Sequence, residues 1–146
     1  MSTGFAALQV ALGPARLGLG WDETVYVSQV SPIPAAAFTA PWAPGVSLLV
    51  APVASWTTST GALRAYLVLV AALGLFLAFR IWVGVLGRAV GVLAAGLFAS
   101  LWVSLVYGNE AMPNFWLALL IVAAAGFAVR AARDARARTT WAQPSP

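Results

Sequence analysis

Residues 65–79 read AYLVLVAALGLFLAF, a stretch with no charged side chain. Extended past Arg80 it reaches the roughly 20 apolar residues that a membrane-crossing helix requires. A second such run, AVGVLAAGLFASLWVSLVY, occupies 89–107, and a third, PNFWLALLIVAAAGFAV, begins at Pro113. Proline suits the first turn of a helix, where its missing N–H has no partner to lose. These runs predict spans over 65–83, 89–107 and 113–131. The stretch 4–21 is a weaker span, interrupted by Gly13-Pro14 and carrying Arg16. The expected fold class is therefore all-α, an integral membrane helical bundle of about four transmembrane helices.

Composition supports the same solvent. Of 146 residues, 62% are hydrophobic and only 8% charged, with a mean hydropathy of +0.89. Soluble domains carry about 25% charged residues. A soluble fold this poor in charge would expose apolar patches that drive association. Cysteine and histidine are both absent. That excludes disulfides, thiolate nucleophiles, Cys/His zinc sites and histidine bases. All eight basic residues are arginines, within a composition rich in Arg, Ala, Gly and Val that is usual in high-GC bacteria. They sit at the ends of apolar runs and form no basic stripe interleaved with aromatics, so no nucleic-acid partner is expected.

Charge distribution predicts orientation. Arg80, Arg88, Arg130, Arg133, Arg136 and Arg138 fall on one side of the predicted spans, and Asp22, Glu23 and Glu110 on the other. The positive-inside rule assigns the arginine side to the cytoplasm. The expected locality is a bacterial plasma membrane, multi-pass, with the lipid bilayer as partner. Residues 132–146 form a cytoplasmic tail, frayed beyond its first turn. The outer loop 22–63 is long yet apolar, with Trp42, Trp56 and five prolines. Its short apolar pieces predict interfacial helices lying along the outer surface. The run Ser55-Trp56-Thr57-Thr58-Ser59-Thr60 supplies N-cap candidates for the next span. The whole is one membrane module over 1–146.

Chemistry must then run on acids, arginines, hydroxyls and backbone. Asp22 and Glu23 follow Trp21 at the outer end of the first segment, where a carboxylate can take a proton from an acceptor hydroxyl. Tyr26, four residues after Asp22, would share its helix face. Glu110 lies in the short loop 108–112, held near the membrane surface, where it could orient a substrate or bind a divalent metal. Arg64, at an outer helix start, could pair with a phosphate. The ordinary alternatives are solvation of helix ends for the acids and snorkelling to headgroups for Arg64.

The order of these pieces resembles the N-terminal part of GT-C glycosyltransferases, in particular the bacterial relatives of protein O-mannosyltransferases and aminoarabinose transferases. The resemblance rests on Trp21-Asp22-Glu23-Thr24-Val25-Tyr26 after the first helix, on 43–52 in the long outer loop, on Leu63-Arg64-Ala65-Tyr66-Leu67, and on Glu110-Ala111-Met112-Pro113-Asn114. It implies sugar transfer from a polyprenyl-phosphate donor at the outer membrane face. Asp22 would be the catalytic base with Glu23 its acidic neighbour, and Glu110, Tyr26 and Arg64 would bind substrate or, for Glu110, metal. Family members have many more spans, so the resemblance also implies a truncated gene, an inactive fragment, or one part of a split protein whose remaining C-terminal spans lie on another chain. The alternative expectation is a small non-enzymatic multi-pass membrane protein with a structural or assembly role.

Overall fold

The computed structural model describes residues 1–12, 18–33 and 44–141, and among these every regular element is helical. In chain order they are α1 (Ser2–Leu12), α2 (Trp21–Ser28), α3 (Pro44–Ala54), α4 (Thr60–Leu86), α5 (Arg88–Ser100), α6 (Trp102–Tyr107) and α7 (Pro113–Trp141). The predicted break at Gly13-Pro14 and the nearby Arg16 lie outside the described residues.

α4 is the mast of the fold. Ser59 caps it, its hydroxyl accepting from Ala62 N at 3.3 Å, as the hydroxyl-rich run before it predicts. Its 27 residues span about 40 Å at 1.5 Å per residue. Gly87, at φ +86° and ψ 162°, ends α4 and starts α5 in one step. That backbone region is essentially closed to residues with a Cβ, so glycine makes the one-residue reversal possible. Pro113 opens α7, in keeping with its predicted place in a first turn.

Two cores hold these helices. The larger joins α1, α4, α5 and α7 through Phe5, Leu75, Phe79, Ala95, Phe115 and Leu119. Phe5 and Phe115 stack at 6.0 Å between ring centroids. The second gathers α2 and α3 onto the start of α4, with Tyr26, Val50, Leu63, Leu67 and Ala111 all buried. Small residues permit the close approaches. A Cβ on Gly91 would meet the Val83 backbone at 2.8 Å, and one on Gly126 would meet Ile81 Cγ2 at 2.8 Å.

α4 and α7 are both long and apolar enough to cross a membrane. Of their most apolar windows only 33% and 17% is buried inside the protein. The central helix of a soluble domain would instead bury most of such a window. Leu69, Leu73, Phe76 and Leu77 on α4, and Leu117, Leu120, Ile121 and Phe127 on α7, all face outward. An apolar outward surface of this kind is what a lipid solvent accepts.

The run 89–107, predicted as one span, is broken in the structure. α5 stops at Ser100, whose hydroxyl donates to Leu97 O at 2.9 Å, and Leu101 turns to an extended backbone at ψ 134° before α6 begins. Serine side chains that bond back to the preceding turn compete with the helix ladder. Two helices rather than three thus meet the length of a span. The tail departs from expectation in the other direction. α7 continues to Trp141, through an alanine- and arginine-rich sequence of strong helix formers.

Candidate functional site

α2 starts at Trp21 after the N-cap Gly20, and of its two acids Glu23 turns inward. Glu23 occupies the third helical position, and its Oε2 accepts from Gly20 N at 3.0 Å. The carboxylate thereby satisfies a backbone N–H of the first turn and sits at the positive end of the helix dipole. From there it meets Arg64, one turn into α4. Arg64 Nη1 donates to Glu23 Oε1 at 2.6 Å and Nη2 donates to Glu23 Oε2 at 2.8 Å. Both residues are buried, Glu23 at 3% and Arg64 at 2% exposure.

The pair also holds the backbone around it. Arg64 Nη1 donates to Asn109 O at 2.7 Å, and Nη2 to Gly18 O at 3.3 Å. Glu23 Oε1 accepts from Ala111 N at 2.7 Å. One bidentate ion pair therefore ties α2, the start of α4 and the loop 108–112 into a single unit. Bidentate arginine–carboxylate geometry is the strong form of this contact. Gln9 of α1 reinforces the loop from behind. Its Nε2 donates to Ser104 O at 3.3 Å, and Gly108 lies so close that no Cβ would fit beneath the Gln9 amide.

In front of the pair opens a cleft of about 340 Å³, with Asp22, Glu23, Arg64 and Glu110 on its walls beside Gly20 and Trp21. Asp22 and Glu110 are both half-buried. The sequence-predicted acids thus converge from two distant segments. Tyr26 does not join them, since it packs in the core with Val50 and Leu67. Burial raises the Glu110 carboxyl above its ordinary 4.5, the Glu23 charge raises it further, and the Arg64 guanidinium opposes both. The cleft walls thus carry three carboxylates and one guanidinium.

Two expected roles change with this geometry. Both oxygens of Glu23 are engaged by donors, so it holds the site and does not wait as a base. Arg64 spends both its Nη groups on Glu23 and two carbonyls, which replaces the expected contact with a phosphate or headgroup. A resident divalent metal at Glu110 does not fit these residues. Among the described residues no three acidic side chains group as a metal site, and Arg64 places a positive charge in the same cleft.

Gln9 and Asn109 were not singled out by the sequence reading, yet both are fully buried at this end of the bundle. A glutamine inside an apolar segment is itself a signal, because polar groups in such segments face protein partners.

No family model, curated protein or solved structure matches the chain. The reading that follows therefore stands on the residues of this chain.

Proposed function

We propose that the chain is a multi-pass module of a bacterial plasma membrane whose outer-face cleft serves glycosyl transfer in the manner of GT-C enzymes. The observation that carries this reading is the convergence of Asp22 and Glu110 on one cleft at the end of α4 opposite Arg80. Arg64 lies in the first turn of α4, whereas Arg133 of α7 donates to Val85 O in its last turn. The positive-inside rule puts that last turn in the cytoplasm and the cleft outside. α2 and α3 then lie along the outer surface.

In the proposed reaction Asp22, which has no ion-pair partner among the described residues, takes the proton from an acceptor hydroxyl. The hydroxyl oxygen attacks the anomeric carbon of a polyprenyl-phosphate sugar. The bond from that carbon to the phosphate oxygen breaks, polyprenyl phosphate leaves, and the configuration inverts. Glu110 positions the acceptor or the sugar from the facing loop. The Glu23–Arg64 pair fixes the distance between the two acids, which matters because reacting groups must approach to about 3–3.5 Å.

The test uses the full chain in proteoliposomes, supplied with a radiolabelled polyprenyl-phosphate hexose and a detergent extract of the source membranes carrying any partner spans. Asp22→Asn is expected to abolish the transfer that the added chain confers while leaving the protein in the membrane. Transfer that persists in Asp22→Asn removes Asp22 as the base.

One observation favours a second reading, a non-enzymatic role in assembly. Between α4 and α7 runs an open groove of about 860 Å³ with an almost wholly apolar wall, including Gly74, Leu77, Trp116 and Leu120. A transmembrane partner packing there would need no chemistry from the cleft. In that case Leu77→Trp disrupts co-purification of a partner, and Asp22→Asn changes nothing.

A further inference from the structure

At the opposite end of α4 the bundle is incompletely filled, and the deficit has a definite shape. α4 and α5 form a tight hairpin closed by Gly87. α1 lies against only the upper part of that hairpin. Met1 packs on Gly96, and Gln9 reaches Ser104. From Arg88 to Gly96 is eight steps along α5, about 12 Å of helix, and α1 meets it at the upper end, where Ala95 shares the larger core with Phe5. The result is a slot of about 430 Å³ between α4 and α5, roofed by Met1 and Ser2. Its walls are apolar, with Phe76 and Phe79 on one side and Val92 on the other, and its mouth carries Arg80 and Arg88. Both arginines are exposed, and neither has an ion-pair partner among the described residues.

We propose that this slot binds one anionic phospholipid, its phosphate at Arg80 and Arg88 and one acyl chain running up between α4 and α5 to Met1. Charge complementarity selects this occupant. A neutral lipid would leave two guanidinium groups without a counter-charge at the hydrocarbon boundary, and such groups seek phosphate or carboxylate. Basic pockets between helices at the cytoplasmic face recognise anionic headgroups in this way. The apolar walls then give the acyl chain a protein surface in place of bulk lipid. The inference rests on the reading of α4 as a span with its arginine end at a membrane face, and it is independent of the chemistry proposed for the cleft.

The experiment reconstitutes the full chain in nanodiscs of phosphatidylcholine containing a minor fraction of phosphatidylglycerol. After detergent extraction, native mass spectrometry counts the phosphatidylglycerol retained per protein. The wild type is expected to keep one. Each arginine near a headgroup contributes about fivefold in binding, so the double variant R80Q/R88Q should retain lipid about twenty-five-fold less well on the same reckoning. Val92→Trp, which fills the slot but keeps both arginines, should also lose the lipid. R130Q/R138Q removes the same charge elsewhere and should retain it. Equal loss in R80Q/R88Q and R130Q/R138Q overturns the proposal, because the lipid would then follow net charge alone. A lipid-free dimer of the wild type also overturns it, since a second copy would be filling the slot. Extraction of the chain from membranes by alkaline carbonate overturns the span reading itself. An integral protein that retains no phosphatidylglycerol overturns the slot alone.

Discussion

The Glu23–Arg64 pair offers the sharpest test of how this end of the bundle is held. Replacing Glu23 with leucine leaves the Arg64 guanidinium buried at 2% exposure with only the Asn109 and Gly18 carbonyls as acceptors. It also frees the Ala111 and Gly20 N–H groups. Removing one partner of a buried ion pair costs about 3–5 kcal/mol, since the remaining charge is desolvated without compensation. Arg64→Met should cost a similar amount for the complementary reason, a buried carboxylate with only two backbone donors. The double variant E23L/R64M carries no stranded charge. It should lose less than the sum of the singles by about 2 kcal/mol or more, the coupling of two groups in direct contact. The assay is reversible unfolding in mixed micelles with increasing SDS, followed by tryptophan fluorescence, for the wild type and the three variants. Single substitutions that each cost under about 1 kcal/mol would match an exposed ion pair and refute the account of a buried latch. Strict additivity in the double variant would refute it equally, because the two side chains would then act through separate surroundings.

Three further outcomes follow from other parts of the molecule. The Glu110 carboxyl is raised above 4.5, so folding favours its protonated form. That contribution is fully present below pH 4.5 and is lost as pH rises through the raised value. The thermal midpoint in detergent should accordingly fall across that window, and Glu110→Gln should flatten the fall, whereas an unchanged slope would remove Glu110 as its source. Gly87→Ala should cost about 1–3 kcal/mol because its backbone lies in a region reserved for glycine, and SDS titration showing no loss would mean that the α4–α5 reversal relaxes freely. Cysteines introduced singly at positions 110 and 88 in this cysteine-free chain should label from opposite faces of sealed vesicles, and labelling from one face would overturn the proposed topology.

Much of the architecture was legible because the physics that sets it is local. Composition over 65–83 and 113–131 fixes helices that suit lipid, and Ser59 and Pro113 mark helix starts by chemistry confined to one turn. The break at Leu101 was not legible. Hydropathy over 89–107 averages composition across the window, while the break is a backbone event set by the Ser100 side chain within one turn. The site was legible in outline, since short loops at one end of stiff helices bring Asp22 and Glu110 to the same face. The division of labour between Asp22 and Glu23 was hidden. Neighbouring acids differ by 100° around a helix, so the face by which α2 packs on α3 and α4 decides which is buried. The role of Arg64 was hidden for another reason. Its partners lie 41 and 45 positions away, and no pattern within a helix announces such a contact.

The latch also bears on the choice between the two proposed functions. A purely structural module gains stability from a closed, neutral arrangement, and Glu23 with Arg64 already supplies one. Nothing in that arrangement requires two more carboxylates beside it. Asp22 and Glu110 add negative charge to the same cleft, and burial together with the Glu23 charge raises the Glu110 carboxyl, so its ionised form works against folding. Groups kept in an unfavourable environment next to a rigid support are the usual mark of a working site. This contrast separates the readings by experiment. If the acids serve chemistry, D22N/E110Q should be more stable than the wild type and inactive in transfer. If they serve only to hold an assembly, the same variant should be less stable or should lose its partner. A variant that is both destabilised and active would remove the cleft from the proposed reaction.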